Sequence, residues 1–234
     1  MSFDVRNLAV FEVFGVEVWF TETLRNVWIV MGIMIALAIV ARVAMMKSMK
    51  NATYRDAPKG VQNLLEAIIE IFDRFVRSTA GDRLAYLGHW FFTVFFFILF
   101  SNLSGMLIRP PTADYSVTFA MAITTFAMII VLGFKYRKGA YLKSFFEPVF
   151  LFFPLNVIGE LAKPISLSFR LFGNILAGMI IMSLLYGIGP IFIRIGIPVF
   201  LHAYFDVAMG FLQTYVFVVL SLAFIGGAAG TNAD

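Results

Sequence analysis

Cysteine is absent from the chain, which rules out disulfides, thiolate nucleophiles and cysteine-ligated metals. Histidine is nearly absent: His89 and His202 stand far apart in sequence, too few for a clustered metal or acid–base set. No cofactor or metal is therefore expected. Charge is scarce as well, since Asp, Glu, Lys and Arg make up 14% of the chain, against about 25% in soluble domains. The net charge of +4 does not point to nucleic acid. Its lysines and arginines collect in short loops between apolar runs, as orientation signals do. The N-terminus has no basic region or cleavage site of a secretory kind and carries Asp4, Glu12, Glu17 and Glu22 instead. The first apolar segment is expected to stay in the mature protein. There is no internal repeat, low-complexity tract or soluble linker, so residues 1–234 read as one domain. What fills the chain is apolar: 61% hydrophobic, with 28 phenylalanines. An all-α integral membrane protein with several spans follows.

Residues 1–23 are mixed and mildly acidic, and are expected at or outside the membrane interface. Residues 24–46 have the length of one crossing and end in a basic flank, Arg42, Lys47, Lys50, Arg55 and Lys59. That flank is cytoplasmic by the positive-inside rule, which leaves the N-terminus outside. Residues 60–79 place Val61, Leu64, Leu65, Ile68, Ile69, Phe72, Phe75 and Val76 at helical spacing, with Glu66, Glu70, Asp73, Arg74 and Arg77 mostly opposite. The pattern predicts an amphipathic helix on the cytoplasmic membrane surface or against a partner. Spans follow at 89–108 and 117–134, the second returning to the basic loop KYRKGAYLK. Two independent loops thus give the same topology, with a cytoplasmic C-terminus. Residues 145–186 are about twice a crossing and contain Pro148, Pro154 and Pro164. They form either two short segments or one long, kinked, tilted helix. A turn is expected over 187–197 and a last long helix over 198–225.

Within the fourth apolar stretch, KPISLSFRLFGNILAG carries Lys163, Ser166, Ser168, Arg170 and Asn174. An arginine in a span costs at least about 2.5–3.5 kcal/mol, so it marks a functional site by default. Ser166, Arg170, Asn174 and Gly178 follow one another at i+4 and share a stripe. Small residues on such a stripe admit close approach of another helix. One reading is a helix–helix seam with a snorkelling arginine. The sharper one is a guanidinium that favours the ionised form of a carboxylate brought against it. No acid of this chain pairs with Arg170 by spacing, which points to another subunit. The last helix holds His202 and Asp206 at i+4, with Gln213 seven residues on and Gly210 between. A titratable His/Asp pair leading inward suits a proton path; the alternative is a hydrogen bond that only staples helices. Glu160 and Lys163, with Asn156 one turn earlier, either line a cytoplasmic water path or form a structural ion pair.

SLSFRLFGNILAG resembles the signature of subunit a of the F-type ATP synthase, bacterial type, the stator part of its membrane motor. The resemblance extends to PLNVIGELAKPIS, to RPPTADYSVTFAMA and to FLQTYVFVVLS, covering nearly the whole chain from the amphipathic helix onward. It implies two long tilted helices packed on a rotating ring of small two-helix subunits, each with one essential carboxylate. It also implies a peripheral-stalk subunit b, a multi-pass location in the bacterial plasma membrane, and no catalytic site in this chain. The family's arginine, between two aqueous half-channels, falls on Arg170; its serine, asparagine and glutamine fall on Ser166, Asn174 and Gln213. Two positions depart. Where some members have AGE after the asparagine, this chain has Met179, and where those members have histidine seven residues before the glutamine, it has Asp206.

The expectation is a path from outside lined by Asp206, His202, Gln213 and Asn174, and a path to the cytoplasm near Glu160, Lys163 and Ser166. Arg170 separates them. A self-contained secondary transporter or channel would instead need symmetric halves and both members of an ion pair in one chain. A membrane-embedded enzyme would need a clustered nucleophile or metal set. Neither pattern is present in the sequence.

Overall fold

The structure is a computed structural model that describes residues 7–13, 16–49, 60–188 and 191–231. Asp4, Lys50, Arg55, Lys59 and the centre of the expected turn, residues 189–190, lie outside the described residues. Ten elements are considered below: strands β1 (Asn7–Val13) and β2 (Val16–Thr21), and helices α1 (Glu22–Met49), α2 (Val61–Ala80), α3 (Gly88–Leu103), α4 (Tyr115–Arg137), α5 (Gly139–Ser144), α6 (Phe153–Ile188), α7 (Ile191–His202) and α8 (Gly210–Ala229). Five helical stretches are long and apolar enough to cross a membrane, and the chain is a multi-pass membrane protein.

The membrane bundle is all-helical as expected, and a short hairpin precedes it at the N-terminus. β1 and β2 pair antiparallel, with Val10 opposite Trp19 and Glu12 opposite Glu17. FEV (residues 11–13) and VEV (residues 16–18) alternate apolar and acidic residues with the period of a strand, either side of a glycine in the sequence.

α8 is the centre of the bundle. It packs on α2, α3, α4 and α6, burying Phe217, Val218, Leu222 and Ile225 against Phe91 and Ile98 of α3, Ile129 of α4 and Leu171 of α6. α1 stands at the edge, with Asn26 and Val30 its only buried side chains among those described. α2 joins the bundle through its C-terminal half, where Phe72 meets Phe92 edge-to-face at 5.3 Å and Val76 and Ala80 are fully buried. Its N-terminal apolar side chains, Val61, Leu64 and Ile69, stay exposed. On the opposite side Arg74 pairs with Glu70 and Arg77 with Asp73, each at 2.7 Å. These exposed pairs contribute little to stability and mark the solvated face.

The long fourth stretch is one helix rather than two. Pro154 falls in the first turn of α6, where its missing N–H is harmless, and Pro164 is accommodated inside it. The last stretch departs from the expected single α-helix. Between α7 and α8 the backbone makes a seven-residue π-helical turn, Ala203–Met209, and such turns recur at functional sites.

Tethers fix both ends of the bundle. At one end Asn26 Nδ2 donates to Arg109 O at 2.8 Å and Thr23 Oγ1 donates to Asp114 Oδ2 at 2.8 Å, tying α1 to the loop between α3 and α4. At the other, Thr231 Oγ1 donates to Ala80 O, binding the end of α8 to the end of α2.

Candidate functional site

The tether at the first end closes a cavity of about 500 Å³ between the start of α1, the loop after α3, α6 and the π turn. Asn174, His202 and Asp206 line it, as do Gly178 and Met179. His202 Nδ1 and Asp206 Oδ2 are 2.6 Å apart, so an ionised Asp206 accepts from the ring N–H. The cavity has room because two glycines stand where side chains would fill it. A Cβ on Gly105 would meet Asp206 Oδ1 at 3.3 Å, and one on Gly178 would meet the Phe205 ring at 3.2 Å.

That second contact corrects the reading of the i+4 stripe. Ser166 and Arg170 are exposed, but Gly178 is buried against Phe205 of the same chain. The stripe therefore begins on the outer surface and ends inside the cavity, with half-buried Asn174 at the crossing. Asn174 is one turn from Arg170, about 6 Å of rise. Among the described residues no carboxylate lies within ion-pair distance of Arg170, although seven ion pairs form elsewhere.

Gln213 is not among the residues lining the cavity. The spacing reading put it on the face of Asp206 by assuming continuous α-helix, and the π turn intervenes. Gln213 is 5% exposed on the buried side of α8, and its Nε2 has no hydrogen-bond partner. Gly210 presses on α3 instead, where a Cβ would come within 3.0 Å of Asn102 Cβ.

Asn102 holds this junction. Its Nδ2 donates to Gly210 O at 3.0 Å and its Oδ1 accepts from Thr112 Oγ1 at 2.9 Å, all buried. Asn102→Leu leaves the buried Thr112 hydroxyl without its acceptor, while Gly210 O keeps the Thr214 hydroxyl at 2.7 Å, at a cost of about 1–3 kcal/mol. The expected result is a lower inactivation temperature for the assembled complex than in wild type; an unchanged temperature would deny Asn102 this role.

Glu160 and Lys163 pair with one another on half-buried positions nearer the far end of α6, with Lys163 Nζ 5.4 Å from the Phe224 ring centroid of α8. Ten residues before Arg170, Glu160 sits about 80° round the helix from it. Asn156 does a separate job: Nδ2 donates to Phe145 O and Glu147 O at 2.9 and 3.0 Å. The structure thus brings Asn174, His202 and Asp206 together, and leaves outside the cavity the exposed Ser166 and Arg170, the buried Gln213 and the Glu160–Lys163 pair.

Two cavity residues escaped the spacing argument. Glu22, at the first position of α1, lines the same space and accepts from Arg25 Nη2 at 3.3 Å. Arg109 lines it from the loop. Sequence shows Glu22 only as a helix-starting acid, a common and usually structural feature.

A family model described as ATP synthase A chain matches residues 26–226. The chain belongs to the ATP synthase subunit a family. It is 32% identical over 231 residues to an ATP synthase subunit a of Desulfosudis oleivorans, covering 93% of both chains. A subunit a of Moorella thermoacetica is 32% identical over 224 residues, 94% of this chain and 95% of that one. A protein of Propionigenium modestum named as sodium ion specific is 34% identical over 196 residues, 74% of this chain and 65% of its own. As a subunit a, the chain is the stator component of ion translocation in the synthase, and ATP synthesis and ion transport are its processes.

Proposed function

We propose that the cavity is the outer aqueous half-channel, and that it delivers ions to a ring carboxylate held at Arg170. One observation carries this reading: a cavity containing a hydrogen-bonded His202–Asp206 pair reaches Asn174, one turn from an exposed guanidinium. The orientation follows from charge. Arg42 and Lys47 near the end of α1, and Lys135, Arg137, Lys138 and Lys143 around the α4–α5 turn, gather at the end away from the cavity. The positive-inside rule makes that end cytoplasmic and the cavity external, in a bacterial plasma membrane.

In this reading α6 and α7–α8 lie steeply tilted against a ring of small two-helix subunits. α6 alone, at 36 residues, is about 54 Å long, well beyond a hydrocarbon core of about 30 Å. The exposed side of α6 with Ile165, Ser166, Phe169 and Arg170 faces the ring. Asp206 and His202 pass the ion inward, Asn174 marks the inner end, and Gln213 is the next polar group along the last helix. A titratable pair at the inlet suits H⁺ as the ion. Ions leave to the cytoplasm past Ser166, Glu160 and Lys163. Each charge moved gains about 2.3 kcal/mol per 100 mV of membrane potential. Subunit b of the peripheral stalk completes the stator, and the chain itself carries no catalytic site.

The cysteine-free sequence makes the test direct. Single cysteines at Asn174 and Met179 are expected to react with Ag⁺ or a charged thiosulfonate added outside sealed vesicles, and one at Ser166 with reagent added on the cytoplasmic side. Labelling of Asn174→Cys only from the cytoplasm would reverse the assignment of the cavity.

A further inference from the structure

A second cavity, of about 380 Å³, lies between α4, α5 and the first half of α6. Its walls are phenylalanine, leucine, isoleucine and valine side chains, apart from Tyr141 and Glu160. Tyr141 is 4% exposed, yet its hydroxyl has no hydrogen-bond partner, and Glu160 Oε2 is likewise buried and unpartnered. Glu160 Oε1 is taken by Lys163 Nζ. A buried donor and a buried acceptor, each unmet, are costly, and neither is left so without reason.

The tyrosine ring cannot turn away from this arrangement. Phe134 and Phe145 hold it edge-to-face, each at 5.3 Å between centroids. From the third side it lies on Gly133, where a Cβ would come within 2.8–2.9 Å of three ring atoms. The α5 turn is itself fixed: Ser144 Oγ donates to Tyr141 O at 2.7 Å, and Asn156, one turn before Glu160, holds Phe145 O. Burial pushes the Tyr141 phenol up to about 12, with the Glu160 charge adding and Arg137 opposing. It therefore remains a proton donor across the physiological range.

We propose that Tyr141 is a positioning residue for Glu160, its hydroxyl donating to water that in turn donates to Glu160 Oε2. Bulk water occupies roughly 30 Å³ per molecule, and a buried water needs at least two polar partners. The cavity offers the room and the two partners at one place. The phenol draws one carboxylate oxygen toward α5 while Lys163 holds the other. The cytoplasmic path thereby gains a wall from the short helix after α4. The inference rests on the reading of Glu160 as part of that path.

The test is passive ion conductance of vesicles bearing the assembled membrane sector, stripped of the soluble catalytic part, at matched subunit a content. Tyr141→Phe keeps the ring and its clamps and removes only the hydroxyl. The expected loss is about fivefold, the size of one net hydrogen bond. 4-Aminophenylalanine at position 141 keeps a donor and is expected to restore most of the conductance. A ring needed only for packing would show wild-type conductance with phenylalanine, and that result would overturn the proposal, as would failure of the amino variant to rescue. Glu160→Gln separates the two claims. If it conducts as wild type, the cytoplasmic path does not use Glu160 and both fall; if it is impaired while Tyr141→Phe is not, only the role of Tyr141 falls.

Discussion

Arg170→Ala is expected to reduce ATP-driven ion pumping about a hundredfold or more, equivalent to roughly 3 kcal/mol. A cation on a membrane-spanning helix is unfavourable by at least about 2.5–3.5 kcal/mol, and among the described residues no carboxylate pairs with it. The charge is instead displayed on an exposed face beside Ser166 and Phe169, one turn from the cavity. A partner carboxylate arriving there would lose its proton, because guanidinium stays charged at any physiological pH. Arg170→Lys keeps the charge but not the planar fork, and should retain only a small part of the activity. Vesicle acidification with matched ATP hydrolysis reads both variants. Coupled pumping at the wild-type rate with alanine at 170 would remove Arg170 from the mechanism.

Asp206→Asn should slow proton uptake from the outer side about a hundredfold, the lower end of the roughly 10²–10⁴-fold that a positioned proton-transfer group contributes. Asparagine preserves size and still accepts from His202 Nδ1–H, so the cavity keeps its shape; what disappears is the group that can take and release a proton. Asp206→Glu keeps that chemistry and is expected to stay within a few-fold of wild type. The structure adds a second arm. Met179 and Asp206 line one cavity, so an acid at one position and a histidine at the other can serve the same water. Met179→Glu combined with Asp206→His, the arrangement of other family members, should recover much of what Asp206→His alone loses. Uptake followed against external pH decides it: an asparagine variant with unchanged rate and profile would take Asp206 out of the inlet.

The charged and polar residues of α6 and the last helix were legible because hydrocarbon makes each of them costly. Arg170, Asn174, His202 and Asp206 stand out from their neighbours by chemistry alone, and three of the four meet at the cavity. Gln213 was placed by counting turns, and counting fails across a π turn, which leaves no trace in an apolar sequence such as VAMGFLQT. The smallness of Gly178 says that something comes close, not what; in the structure it is Phe205 of the same chain. The hairpin at the start was overlooked for a different reason. Its alternation is only three residues long on each side of the glycine, too short for a period of two to stand out from mixed interfacial composition. Glu22 is an ordinary helix-starting acid in sequence, and its place at the cavity depends on the long-range tethers of Asn26 to Arg109 O and Thr23 to Asp114.

The π turn also divides the last helical stretch mechanically. On one side α8 is wedged among four helices and pinned by Asn102 to α3. On the other, Val199, Phe200 and Tyr204 stand free of the bundle. A sideways load on the exposed face would be borne by α8, packed among four helices, more than by α7, which packs mainly on α6 and the turn. If Asp206 serves the inlet as proposed, the proton-carrying group lies in the turn between the two parts and not in the helix that bears the load.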